Sequence, residues 1–232
     1  MPIKLICLDA DDTLWHNMRH FDVAERALLD MLAPFSDAQI AHATLETVEI
    51  RNLKLYGYGA KSFTLSMIET AIELAGDDLP PSAVRQILEA GRDLLAHPVE
   101  LLDGVGDTIE ALAGQGALAL ITKGDLLHQE AKLAASGLGG HFASVEIVSD
   151  KRPDTFRRLF ARHDVPPEEA IMAGDSLRSD ILPALEAGAW AAYVPHDLVW
   201  SHEQAAEPVD RPRYRKLAAL GELPALVESL RT

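Results

Sequence analysis

The amino-acid sequence predicts an α/β protein: a doubly wound parallel sheet of Rossmann type with an all-helical domain inserted after its first strand. Three observations carry that prediction. A short apolar run opens the chain and stops at acidic residues. From 17 to 97 the periodicity is helical throughout, and nothing there reads as a strand. After Pro98, strand patterns alternate with helical ones, which is the rhythm of a parallel sheet.

The first strand is Ile3-Lys-Leu-Ile-Cys-Leu8, a branched run of the kind that is buried on both faces. Cys7 lies inside it and is the one cysteine of the chain. An intrachain disulfide is therefore excluded, a reducing compartment fits, and the thiol is expected to be a small core residue. Four helical segments follow: Phe21–Leu32, Asp37–Leu55, Ser62–Leu74 and Ser82–Ala96. Their separators are Pro34 with Ser36, then Gly57-Tyr-Gly59, then Gly76 to Pro81, and His97-Pro98 ends the last. Beyond them the expected strands are Leu118–Thr122, Val145–Val148, Ala170–Ala173 and Trp190–Val194. The expected helices there are Gly106–Leu112, Leu126–Ala135, Thr155–Arg162 and Ile181–Ala187. The domains are thus 1–16 with 98–232 for the α/β core, and 17–97 for the helical insert.

Apolar residues are 48% of the 232, and charged ones 25%, the composition of a folded chain with a sizeable core. A formal charge of -15 argues against nucleic acid or an anionic membrane as partner, since both need a basic face. The basic run Arg211-Pro-Arg-Tyr-Arg-Lys216 is expected to be a solvated surface segment. No leader pattern and no bilayer-length apolar stretch is present, so a cytoplasmic protein is expected. The histidines (His16, His128, His163, His196 among them) show no ligand spacing, and Trp200-Ser-His-Glu203 suggests only a turn.

In an open parallel sheet the ligand site lies at the carboxyl ends of the strands. Those ends carry Asp9-Ala-Asp11-Asp12-Thr13, Thr122-Lys-Gly-Asp125, Ser149-Asp-Lys151-Arg-Pro153 and Gly174-Asp175-Ser-Leu-Arg-Ser-Asp180. Any one of these is ordinary helix-cap or turn chemistry. Four in register place carboxylates, a hydroxyl and a lysine on one rim. Carboxylates so gathered repel unless a cation sits among them, and all-oxygen ligation suits Mg²⁺. A lysine beside them completes a site for a phosphate dianion.

The order Asp9-x-Asp11-x-Thr13, Thr122, Lys151, Gly174-Asp175-x4-Asp180 resembles the four motifs of the haloacid dehalogenase superfamily, over residues 1–16 and 98–195. The helical insert stands where many members carry a cap domain over the active site. The resemblance implies a Mg²⁺-dependent phosphatase with Asp9 as nucleophile and Asp11 as general acid and base. It also implies that Mg²⁺ is held by the Asp9 carboxylate, the backbone carbonyl of Asp11 and the Asp175 carboxylate. Asp180 would bind through water or orient the other ligands, and Thr122 and Lys151 would hold phosphoryl oxygens. The substrate would be a small phosphate monoester, and the protein a monomer or homodimer.

One departure concerns the lysine. Many members place it directly before a proline, where this chain has Arg152, so Arg152 stays an alternative to Lys151 and Lys132 a weaker one. Asp12 is expected to be a turn or cap residue, and Thr13 to bond the loop. Lys123 and Asp125 are the better candidates for substrate contact. Tyr56, Tyr58 and Lys61 in the glycine turn of the insert are the weaker ones, an ordinary interhelical turn being at least as good a reading. Relatives that release halide typically lack an acid at Asp11 and need no magnesium, whereas phosphonate cleavage relies on a cap lysine; Lys54 and Lys61 lie in the insert, but solvated surface lysines are the better reading of both. Outside hydrolases, a receiver-type signalling module is disfavoured by its shorter length and its different order of acidic residues. A binding protein without turnover is disfavoured because every catalytic position is filled.

Overall fold

The computed structural model describes residues 2–231. Its strands are β1 (Leu5–Leu8), β2 (Ala117–Lys123), β3 (Ser144–Val148), β4 (Ala170–Gly174), β5 (Trp190–Tyr193) and β6 (Tyr214–Lys216). Its α-helices are α1 (Met18–Leu32), α2 (Ala38–Tyr56), α3 (Ala60–Ala75), α4 (Pro81–Ala96), α5 (Val105–Ala113), α6 (Leu126–Ser136), α7 (Pro153–Arg162), α8 (Leu182–Glu186) and α9 (Leu223–Ser229). The chain divides into two compact units. One is formed by the chain up to Met18, by Val99–Lys123 and by the chain from Gln129 onward; the other is Arg19–Pro98 with Gly124–His128.

The first unit is an α/β layer fold. All strand pairs are parallel, in the order β3-β2-β1-β4-β5-β6. The four residues of β1 are buried and pair on both sides, Leu5 with Ala117 and with Ala170. Winding runs outward from β1 to β3 and then returns to β4 on the other flank. The switch point, where an open sheet leaves a crevice, therefore falls between β1 and β4. Period-two alternation splits the strands between two cores. Ile6, Leu8, Leu118, Leu120 and Ile171 pack with Ile109 of α5 and Leu223 and Val227 of α9. Leu5, Cys7, Ile121 and Met172 pack on the other face, with Phe156 and Phe160 of α7 and Ala184 of α8. Cys7 is a core residue, as expected.

Two features differ from expectation. The basic run at 211–216 is not a solvated segment: it contains β6, which pairs with β5 and buries Tyr214. Its cations lie over rings, Arg215 at 5.0 Å from the Trp190 centroid and Lys216 at 5.7 Å from that of Tyr193. Long cationic stems can cover apolar surface while their heads stay wet, so a charged edge strand is stable there. The helix expected at Ile181–Ala187 begins earlier, with a single π-type turn over Leu177–Ile181 that runs into α8. Such turns are frequent at functional sites.

The second unit is helical. Leu28, Leu32, Leu45, Phe63, Met67, Ile87 and Leu94 form its core. Asp37 caps α2 by accepting from the Gln39 amide at 2.8 Å, and Gly57 ends that helix at φ 75°. A Cβ on Gly91 of α4 would stand 2.2 Å from Thr64 Oγ1 of α3, so the close approach of these helices depends on glycine. Among the described residues, no helix is long and apolar enough to cross a membrane.

Candidate active site

The loop after β1 is tied to the sheet at once: the Asp9 amide donates to Ala173 O of β4 at 3.0 Å. A tight turn follows, with Leu14 N on Ala10 O at 2.7 Å and Asp12 N on Trp15 O at 2.8 Å. Asp12 takes the left-handed conformation at φ 59°, which a short polar side chain tolerates. Its carboxylate accepts from the amides of Asn17 and Met18, both at 2.9 Å, and so caps the start of α1. Thr13 Oγ1 donates to Asp175 Oδ1 over a long 3.4 Å.

Asp9, Asp175 and Asp180 converge so that one carboxylate oxygen from each lies within 4.8 Å of the others. Lys151 stands among them, donating to Asp9 Oδ1 and, at 2.6 Å, to Asp180 Oδ1. Its side chain is 2% exposed. Burial alone would depress the Lys151 ammonium, but the Asp180 and Asp9 charges outweigh it and hold the group above its ordinary value. The carboxylates are raised as well, by burial first. Burial and the charges of Asp9, Asp180 and Asp12 hold Asp175 well above the usual carboxylate range. Burial lifts Asp180 to about 7 against the pull of Lys151. The backbone around them leaves no slack: Ser176 N donates to Asp180 Oδ2 at 3.0 Å, and a Cβ on Gly174 would meet that same oxygen at 2.3 Å. Gly174 is therefore needed for the Asp180 carboxylate to reach the rim.

Asp11 points into a second set of partners. Trp15 Nε1 donates to it at 2.7 Å, Lys132 Nζ at 2.5 Å and Gln129 Nε2 at 3.1 Å. Gln129 Nε2 also donates to Thr122 Oγ1 at 2.7 Å, which links the loops after β1 and β2. Burial works to raise the Asp11 carboxyl, yet Lys132 and these hydrogen bonds hold it below its ordinary value. Lys132, considered above only as a weak alternative to Lys151, is thus the partner of Asp11. Gln129 went unnoticed in the sequence. The available signal was two polar residues at i and i+3 on the buried face of α6, the first helix after β2.

Of the remaining candidates, Arg152 is exposed and pairs with Asp150 at 2.8 Å, away from the cluster that holds Lys151. Lys123 turns toward Glu203 and Ser179. Asp125 belongs to the helical unit, where it accepts from Lys61 N at 3.2 Å and has Lys61 Nζ at 3.4 Å. That contact supplies a carboxylate to the N-terminus of α3, whose own cap residue, Gly59, has no side chain to offer. Tyr56 ends α2 half exposed, and Tyr58 sits in the turn between Gly57 and Gly59.

The donor set of Asp9, Asp175 and Asp180 fits a hard divalent cation. Every donor is an oxygen, and the burial and mutual repulsion that lift Asp175 and Asp180 are what such an ion offsets.

Known proteins share the family and the fold. The family model described as haloacid dehalogenase-like hydrolase matches residues 3–188. A solved haloacid dehalogenase-like family hydrolase from Xanthomonas campestris is 42% identical, with a TM-score of 0.88 over 98% of this chain and 91% of that one. The phosphoserine phosphatase of Thermus thermophilus is 29% identical across 84% of this chain and 90% of its own. The glyceraldehyde 3-phosphate phosphatase of Pyrococcus furiosus is 27% identical across 98% and 93%.

Proposed function

Since the chain belongs to the haloacid dehalogenase-like hydrolases, we propose that it is a Mg²⁺-dependent phosphatase acting on a small phosphate monoester through Asp9. One observation carries the reading: a buried carboxylate after β1, joined by Lys151 to Asp180 and within 4.8 Å of Asp175, with Asp11 two residues on. Relatives named as phosphatases over most of their length support it.

In this reading an Asp9 oxygen attacks phosphorus and the ester bond to the leaving oxygen breaks, leaving an acyl phosphate on Asp9. The leaving oxygen takes a proton from Asp11. Water then attacks the phosphorus of the acyl phosphate, gives a proton back to Asp11, and frees phosphate and the Asp9 carboxylate. Lys132 favours the ionised form of Asp11, which suits the second half. A phosphate dianion arriving beside Asp11 opposes Lys132 and helps it carry a proton into the first half. Lys151 and the Thr122 hydroxyl hold transferring oxygens, the lysine as a point charge. Asp9, the carbonyl of Asp11 and Asp175 would hold Mg²⁺, with Asp180 behind them; when bound, the ion neutralises the repulsion between carboxylate and phosphate. Halide release from carbon needs no acid at Asp11 and no cation, so the acidic rim favours phosphorus chemistry.

The test is hydrolysis of an aryl phosphate with and without Mg²⁺, in the wild type and in Asp9→Asn, with a chloroalkanoate as control. Turnover that requires Mg²⁺ and falls by at least about a thousandfold in Asp9→Asn is expected, the loss typical of a deleted nucleophile. Halide release without metal, in the absence of phosphate release, would replace the phosphatase reading with the dehalogenase one.

A further inference from the structure

Glu203 lies on a short 3-10 turn, Ser201–Glu203, after β5, far from the four motifs in sequence. Its carboxylate is nonetheless packed, 13% exposed, against two of their loops. Oε1 accepts from Lys123 Nζ at 2.6 Å, and Oε2 accepts from the hydroxyls of both Ser176 and Ser179. Lys123 Nζ also donates to Ser179 Oγ at 2.7 Å, and Ser179 N to Ser176 Oγ at 2.9 Å. Each hydroxyl thus spends its single proton on Glu203 and uses its lone pairs for another donor. Burial would push the Glu203 carboxyl up, but Lys123 and the two serines win and bring it down to about 2. The network joins one carboxylate, one ammonium and two hydroxyls.

The identity of the partners gives this network its meaning. Ser176 directly follows Asp175, Ser179 directly precedes Asp180, and Lys123 directly follows Thr122. We infer that Glu203 is a positioning residue for the acidic rim: it fastens the two ends of the Asp175–Asp180 turn and the loop after β2, so that carboxylates which repel are held where a cation can use them. This rests on the reading of the rim as a cation site. Asp175 and Asp180 would relax apart if their turn were free, because their mutual charge opposes the arrangement. Outer-shell partners of this kind typically change metal affinity by about 10–100-fold when removed.

Binding of Mn²⁺ to the full chain, read from the EPR signal of the free ion, tests the inference without relying on turnover. Glu203→Gln keeps the size but places an amide donor where three donors already point. Its Mn²⁺ affinity is expected to fall by about 10–100-fold, with circular dichroism and the melting temperature reporting that the fold is kept. Ser179→Ala should shift affinity the same way by less, and Glu203→Asp should restore part of the loss. Glu207→Gln, which breaks the exposed pair with Lys216, should leave affinity unchanged. Unchanged Mn²⁺ affinity in Glu203→Gln, with only a lower melting temperature, would make Glu203 a structural fastening and overturn the inference. Should that variant fail to fold, unchanged affinity in Ser179→Ala overturns it equally. Absence of Mn²⁺ binding in the wild type would instead bring down the cation-dependent phosphatase reading, and this inference with it.

Discussion

Asp9, Asp175 and Asp180 gather three carboxylates at the ends of β1 and β4, around Lys151. Glu25, Glu46 and Glu49 gather three on α1 and α2, and their basic neighbour is His42, which pairs with Glu25 and stands 4.0 Å from Glu46. In composition the two clusters are close. Their settings differ. Strand ends deliver side chains from separate loops to one point, where the surrounding backbone fixes them. Helices space Glu25, Glu46 and Glu49 apart; His42 is 52% exposed, so water screens its side of the cluster, and Glu49 is the enclosed member. Among the described residues, the strand-end cluster alone brings three such ligand atoms within 4.8 Å. Acidic residues become a site where the fold, and not their spacing in sequence, forces them together.

The sharpest way to break this contrast is Lys151→Met. It leaves Asp9 and Asp180 buried without their cation, a change expected to cost about 3–5 kcal/mol in urea unfolding without divalent metal. Saturating Mg²⁺ should recover part of that loss. A loss below about 1 kcal/mol would mean that the rim is as well solvated as the helical cluster. Gly174→Ala comes next: the new Cβ meets the Asp180 carboxylate at 2.3 Å in a strand, where alanine brings little propensity gain. About 1–3 kcal/mol of destabilisation is expected, with turnover lost alongside. Gly91→Ala in the helical unit makes a similar clash with Thr64, yet about 1 kcal/mol of helix propensity offsets it, so its unfolding midpoint should move less.

The smallest effect belongs to Glu49. Burial, with Glu25 and Glu46 adding, lifts its carboxyl to about 8 from an ordinary 4.5. The folded state then holds a proton that the unfolded chain has lost, so stability falls as pH rises from about 4.5 and levels off above about 8. Glu49→Gln should remove that slope and gain about 1 kcal/mol at pH 8 while changing little at pH 5. An unchanged slope in urea unfolding would show that Glu49 is solvated in the folded protein.

What could be read in advance follows the same division. Three of the four motif loops were legible because each follows a strand with a buried apolar run, β1, β2 or β4, whose end announces where the loop begins; the Lys151 loop follows the half-exposed edge strand β3 and was legible by its place in the strand–helix rhythm. β6 was not legible: it has three residues, two of them cations, and it is stable through the Trp190 and Tyr193 rings that its neighbour presents. Lys132 and Gln129 reach Asp11 only through the docking of α6, and no motif spacing relates residues 11, 129 and 132. Glu203 was reachable by the rule that found the others, since it follows the fifth strand. Its distance from that strand and the absence of a second polar residue in pattern left it looking like a turn.

The central place of β1 has a consequence for how this chain is made. Leu5–Leu8 leaves the ribosome ahead of the other five strands of this sheet, yet both of its partners, β2 and β4, lie beyond residue 116. At ordinary synthesis rates it waits roughly 6–20 s with four apolar residues unpaired. During that interval α1 to α4 are complete and need only local contacts to pack. The strand that organises the sheet is therefore the last of the early segments to find its place, and the nascent chain carries it as an exposed liability until β2 arrives.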